Sequence, residues 1–129
     1  LLREIRKVIE PSSSGLMAEN AFSIHYQDEV LKKVAGRVFM LSKSAAIKMA
    51  QEIHQAFGAW WEGGDDENKI YGIFRKAKDK VQVSQIASAY YEMHKVNLID
   101  KLYDKLENKE VAIILAIVKR LPDYKKQSL

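Results

Sequence analysis

An all-α fold, a compact bundle of about seven short helices, follows from three features of this 129-residue chain. Apolar residues recur every three or four positions, the spacing that lines one face of a helix. No segment alternates apolar and polar residues as a half-buried strand would. The interruptions carry helix punctuation, with Gly or Pro where patterns stop and Ser, Asp or Asn where new ones start. A chain of this length buries roughly two thirds of its unfolded surface, so residues 1–129 are expected to share one core and one domain.

Taken in order, Leu2, Ile5, Val8 and Ile9 outline a short helix that Pro11 ends, because the residue before proline is pushed out of the helical region. Ser12-Ser13-Ser14-Gly15 is a link. From about Ala18 to Leu41 the stripe Val30, Leu31, Val34, Val38 and Leu41 predicts one longer amphipathic helix. Ser42-Lys43-Ser44 either caps a new helix or lies within a continued one, and Ile47, Ala50, Ile53, Ala56, Phe57 and Trp60 give the next stripe. The run Trp60-Trp61-Glu62-Gly63-Gly64-Asp65-Asp66-Glu67 then frees the backbone and restarts a helix. Asp65 is placed to accept hydrogen bonds from the first free N–H groups, and Asp66 and Glu67 sit where the helix dipole favours carboxylates.

Ile70, Ile73, Phe74 and Ala77 form the following stripe; after a break at Lys78-Asp79-Lys80, Val83, Ile86, Ala87 and Tyr90 mark a helix from about Gln82 to His94. Asn97 caps the next in this reading, with Asp100 in the capping-box position and Leu98, Leu102 and Leu106 on the buried face. Asn108 caps the last helix, which carries Val111, Ile114, Leu115, Val118 and Leu121 before Pro122. Val111 to Val118, the longest uncharged apolar run, is expected at the centre of the core; it falls far short of the ~20 residues that span a bilayer. Residues 122–129 make a short basic tail.

Lys and Arg number 21 against 17 Asp and Glu, giving +4, but the signs interleave, as from Lys101 to Glu110. That pattern marks a solvated helical surface and argues against nucleic acid as a partner. Without cysteine the chain has no disulfide, thiolate metal site or cysteine nucleophile. It begins Leu1-Leu2-Arg3-Glu4 with no methionine, as a processed piece of a longer chain would, so its compartment stays unassigned. His25, His54 and His94 are far apart, with no i, i+4 pair to hold a metal, and His54 reads as a satisfied interior or boundary residue. No phosphate loop, nucleophile elbow or dinucleotide fingerprint is present.

Gly64-Asp65-Asp66-Glu67 resembles the Gly-Thr-Asp-Glu loop of an annexin repeat. Helix order and approximate lengths from Ser44 to Leu121 resemble the repeat's five helices, with Ile70, Ile73 and Phe74 on its second helix, Tyr90 on its third, and Leu98 and Leu102 on its fourth. The division implied is residues 1–43 as N-terminal helices and a Ser-rich link, 44–121 as a single annexin-like repeat, and 122–129 as the tail. The resemblance also implies calcium, held by carbonyls of the first loop and an acid near the end of the fourth helix, since calcium takes six to eight oxygens. Those positions fall on Trp60, Glu62 and Gly64, with Asp104 beside Lys105, which occupies the acid's own place. Glu62 replaces the first glycine of the family's Gly-x-Gly.

The functional expectation is a non-enzymatic binding or assembly module, contacting a protein partner or a second copy of itself through Trp60, Trp61, Asp65 and Asp66, since clustered indoles often dominate interfaces. No cofactor besides calcium is expected. Two alternatives stand beside it: a calcium-dependent phospholipid-binding annexin relative, for which an anionic membrane surface would be the partner, and a helical peptidoglycan-cleaving enzyme using the acids near Trp60 and Trp61.

Overall fold

The structure, a computed structural model, describes residues 18–34, 38–58 and 66–125. Seven α-helices run through these residues: α1 (Ala18–Ala21), α2 (Tyr26–Lys33), α3 (Lys43–Phe57), α4 (Glu67–Lys76), α5 (Lys80–His94), α6 (Leu98–Lys105) and α7 (Asn108–Lys119). The expected all-α bundle is therefore what forms. The segment from Leu2 to Pro11 lies outside the described residues.

The single helix expected from Ala18 to Leu41 is instead two. The chain turns at residues 22–25, where the Ser23 hydroxyl accepts the His25 N–H at 3.2 Å and the Ser23 carbonyl accepts from Ser84 Oγ of α5 at 2.8 Å. A hydroxyl that bonds its own neighbouring backbone offers the chain an alternative to the helix, and α5 holds the turn in place. Leu41 is not helical either: the Gln85 side-chain amide clasps its backbone, accepting the N–H at 2.8 Å and donating to the carbonyl at 2.9 Å.

Ser42 resolves the next ambiguity by starting a new helix, its hydroxyl accepting the Ala45 N–H at 3.1 Å. Ala46, Ala50, Ile53, Ala56 and Phe57 then form the buried face of α3. Asp66, one residue beyond the expected Asp65, caps α4 by accepting the Lys69 N–H at 3.2 Å. Asp79 caps α5, two residues earlier than expected, accepting the Gln82 N–H at 2.8 Å. Asn97 stands at the start of α6 without a side-chain cap bond. Before α7 the boundary residue is Glu107, not Asn108, and its N–H donates to Glu110 Oε1 at 2.9 Å, one arm of a capping box.

Helix α5 lies at the centre. It packs most extensively against α3 and also contacts α1, α2 and α6, while α4 packs between α3 and α7. Phe74, Val83, Ile86, Tyr90, Leu98 and Leu102 are fully enclosed in the main core. Tyr26, Val30, Val38 and Val81 form a smaller second cluster under α2. The apolar run Val111–Val118 is not the centre. Only Val111, Ile114 and Val118 of α7 are buried, and Ile113 is 42% exposed. No helix among the described residues is long and apolar enough to cross a membrane.

Candidate functional site

Trp60, Trp61, Glu62, Gly64 and Asp65 lie outside the described residues. The ends of their loop are fixed, because the Asp66 N–H donates to the Ala56 carbonyl at 3.1 Å and so returns the chain to the end of α3. Of the other residues singled out in the sequence, Asp66 is exposed and occupied as the α4 cap. Asp104 is exposed on α6. The nearby Glu107 and Glu110 are joined by the capping bond that starts α7, and Glu107 Oε1 is 3.5 Å from Lys109 Nζ. No group of three or more His, Cys, Asp or Glu among the described residues is arranged to hold a metal. Asp100 and Asp104 are both exposed acids of α6, while Glu107 and Glu110 are engaged at the start of α7.

Two other constellations come from packing. The first joins His54 of α3 to Tyr90 and His94 of α5. His54 Nδ1 and the Tyr90 hydroxyl are 2.9 Å apart, and the His54 and His94 rings stack at 3.8 Å with 18° between their planes. The Tyr90 ring leans on His94 at 4.6 Å. His54, expected as a satisfied interior or boundary residue, is half-buried and hydrogen-bonded, and the chain also brings it against a histidine forty positions away. Burial, then the neighbouring charges of His94, Lys101 and Lys105, lowers the His54 pKa below 6.5. Burial pushes the Tyr90 phenol up to about 12. The imidazole tautomer sets which of His54 Nδ1 and the Tyr90 hydroxyl donates in this bond. Sequence spacing carries no sign of this pair, because a stack between two helices has no period along one chain.

The second constellation surrounds Tyr26. Its hydroxyl donates to the Asp123 carbonyl at 2.8 Å, which docks the chain after α7 against α2. Lys80, 2% exposed, fixes the same segment: its Nζ donates to the carbonyls of Lys119 and Leu121 and lies 3.3 Å from Asp123 Oδ1. Asp79 completes the clasp, its Oδ2 accepting the Lys125 N–H at 2.9 Å. Residues 122–125, part of the expected basic tail, are held by Lys80 of α5, by its cap Asp79 and by Tyr26. Between α2 and this segment opens a cleft of ≈ 590 Å³, walled by Tyr26, Val30, Val34 and Tyr124 and rimmed by Glu29 and Lys33. The Phe39 N–H donates to the Lys125 carbonyl at 2.6 Å; Phe39 is 38% exposed and Tyr124 37%.

Comparison with known proteins gives no match to any family model, to any curated protein or to any solved structure.

Proposed function

We propose that the chain is a non-enzymatic assembly module that pairs with a second copy of itself through the cleft beside Tyr26. The carrying observation is that cleft, with aliphatic and aromatic walls that include exposed Tyr124 and with charges of both signs among its lining residues. Apolar surface enclosed by polar residues is the usual anatomy of a contact site. Glu29 and Lys33 stand four residues apart on α2 and are both exposed, so a two-fold contact can set Glu29 of one copy against Lys33 of the other. Such self-complementary patches are what two-fold dimers require.

A calcium-dependent role is the alternative that the annexin resemblance favours. In that reading exposed Asp104 is the ligand, and millimolar calcium would raise the melting temperature by an amount that Asp104→Ala abolishes.

Sedimentation equilibrium over a wide concentration range tests the assembly reading. A reversible dimer is expected; Glu29→Lys should weaken it about tenfold, or ~1.4 kcal/mol. The exchanged double variant Glu29→Lys/Lys33→Glu should restore it. A chain that stays monomeric at every concentration, or a dimer indifferent to both changes, would reject this surface.

A further inference from the structure

We propose that a pocket bounded by α2, α3 and α5 binds a small zwitterion with an aliphatic group, as in a free amino acid or a dipeptide. The pocket has a volume of ≈ 270 Å³, and none of its lining residues belongs to the cleft beside Tyr26. Its place follows from helix packing, since α5 packs most extensively against α3 and also contacts α2. Gln85, Ser88 and Glu92 stand at i, i+3 and i+7 on one face of α5, and Lys43 and Ile47 stand four apart on α3. Ala46 and Ala89, both buried, line the pocket from the two helices, and their small side chains leave room that a larger pair would fill. Half-buried Leu41 and Ile47 give it an aliphatic wall.

A second observation is chemical. The side chains of Gln27, Lys43, Ser88 and Glu92 all line the pocket, and none has a hydrogen-bond or ion-pair partner among the described residues. Gln85, by contrast, is engaged through both ends of its amide by the Leu41 backbone, which fixes that side of the pocket. Lys43 and Glu92 carry opposite charges, line one pocket and are not paired with each other. Charges placed and separated in this way are complementary to a ligand that carries both charges itself. Lys43 opens α3 and Glu92 lies in the last turn of α5, so the helix dipoles favour the same polarity, with a carboxylate toward Lys43 and an ammonium toward Glu92. The Gln27 amide and the Ser88 hydroxyl, both half-buried, can donate to that carboxylate or accept from that ammonium. An apolar wall with a few polar anchors is the usual make-up of a small-molecule site.

The probe is L-leucine, titrated while the methyl resonances of Leu41, Ala46, Ile47 and Ala89 are followed by NMR. Saturable shifts are expected. Leucinamide, which lacks the carboxylate, and N-acetylleucine, which lacks the ammonium, should each bind about tenfold more weakly, the size of one lost charged hydrogen bond. Lys43→Gln should weaken leucine about tenfold and leave leucinamide no weaker than before, and Glu92→Gln should weaken leucine equally and leave N-acetylleucine no weaker. Such pairwise coupling is what direct contact gives and a general surface charge does not. Both substitutions fall on exposed side chains, so the fold is not at stake. The dipeptide alanyl-leucine, titrated alongside, separates the two sources of the chemistry. Tighter binding than leucine identifies a peptide, and weaker binding identifies a free amino acid. Shifts that do not saturate, equal affinities for leucine and its two singly charged analogues, or variants that weaken all three alike would overturn the proposal.

Discussion

Helices α5 and α7 invert what their compositions suggest. Helix α7 holds the most apolar run of the chain yet buries three residues. Helix α5, with Lys80, Gln82, Ser84, Gln85 and Ser88 in its first three turns, buries nine. The difference lies in partners. Lys80 reaches two carbonyls and Asp123, Ser84 donates to the Ser23 carbonyl and accepts the Gln27 N–H at 3.2 Å, and Gln82 Oε1 accepts the Lys78 N–H at 2.9 Å. Burying a polar group is expensive only when it is left unbonded. Of these groups only Gln82 Nε2 is buried with no partner among the described residues; where the surrounding chain supplies the bonds, position in the bundle decides burial, and hydropathy along one segment cannot register that.

The widest expected separation between the two helices is in truncation cost. Ile86→Ala should lose about 2–5 kcal/mol, as enclosed aliphatic side chains do, while Ile113→Ala on the exposed side of α7 should stay within about 0.5 kcal/mol. Urea unfolding of both variants checks this, and similar losses would erase the distinction. Next in size is Lys80→Ala, expected to cost roughly 1.5–3 kcal/mol, the range for hydrogen bonds to a charged group. Limited proteolysis should then cut near residues 122–125 before the core opens; an unchanged cleavage pattern would mean that the clasp does not depend on Lys80.

A smaller gain is expected where α5 ends. Lys95, with φ 59°, is the non-glycine residue in the left-handed region among those described, and its N–H donates to the Tyr91 carbonyl at 2.8 Å. Lys95→Gly should stabilise by about 0.5–1 kcal/mol, because glycine holds that conformation without the Cβ clash. A loss on thermal unfolding would show that the lysine side chain matters more than the backbone.

The smallest effect concerns pH at the α3–α5 stack. Because the folded protein lowers the His54 pKa below 6.5, the stability from keeping that ring neutral is present above pH 6.5 and is lost as the pH falls through the lowered value. Solvent at the half-buried ring screens the effect. The drop in melting temperature on acidification should shrink in His54→Gln; an identical drop would place the sensitivity elsewhere.

Much of the fold was legible because caps and periodicity are local. Ser42 acts as a single residue on the N–H groups ahead of it, and Leu98, Leu102 and Leu106 repeat at the helical spacing and are buried. The break after Ala21 was not, because Ser23 is held by Ser84, 61 residues away. Glu107 in place of Asn108 was missed since asparagine is the stronger cap by type, whereas the Glu110 carboxylate reaches back to the Glu107 N–H. Of the expected contact and calcium residues, Asp66 reads correctly as a helix-start acid and Asp104 as an exposed one, and the Trp60 to Asp65 corner lies outside the described residues. The His54 stack and the Tyr26 cleft need the tertiary arrangement, because each joins elements that the chain separates.

Native-state hydrogen exchange tests the inversion of α5 and α7 most directly, since it reads the opening free energy amide by amide. The slowest amides should be those of Val83, Ile86, Ala87 and Tyr90, exchanging only through global unfolding, with the Ile113 and Ala116 amides opening at lower free energy. Slowest exchange in α7, with α5 opening first, would contradict the account.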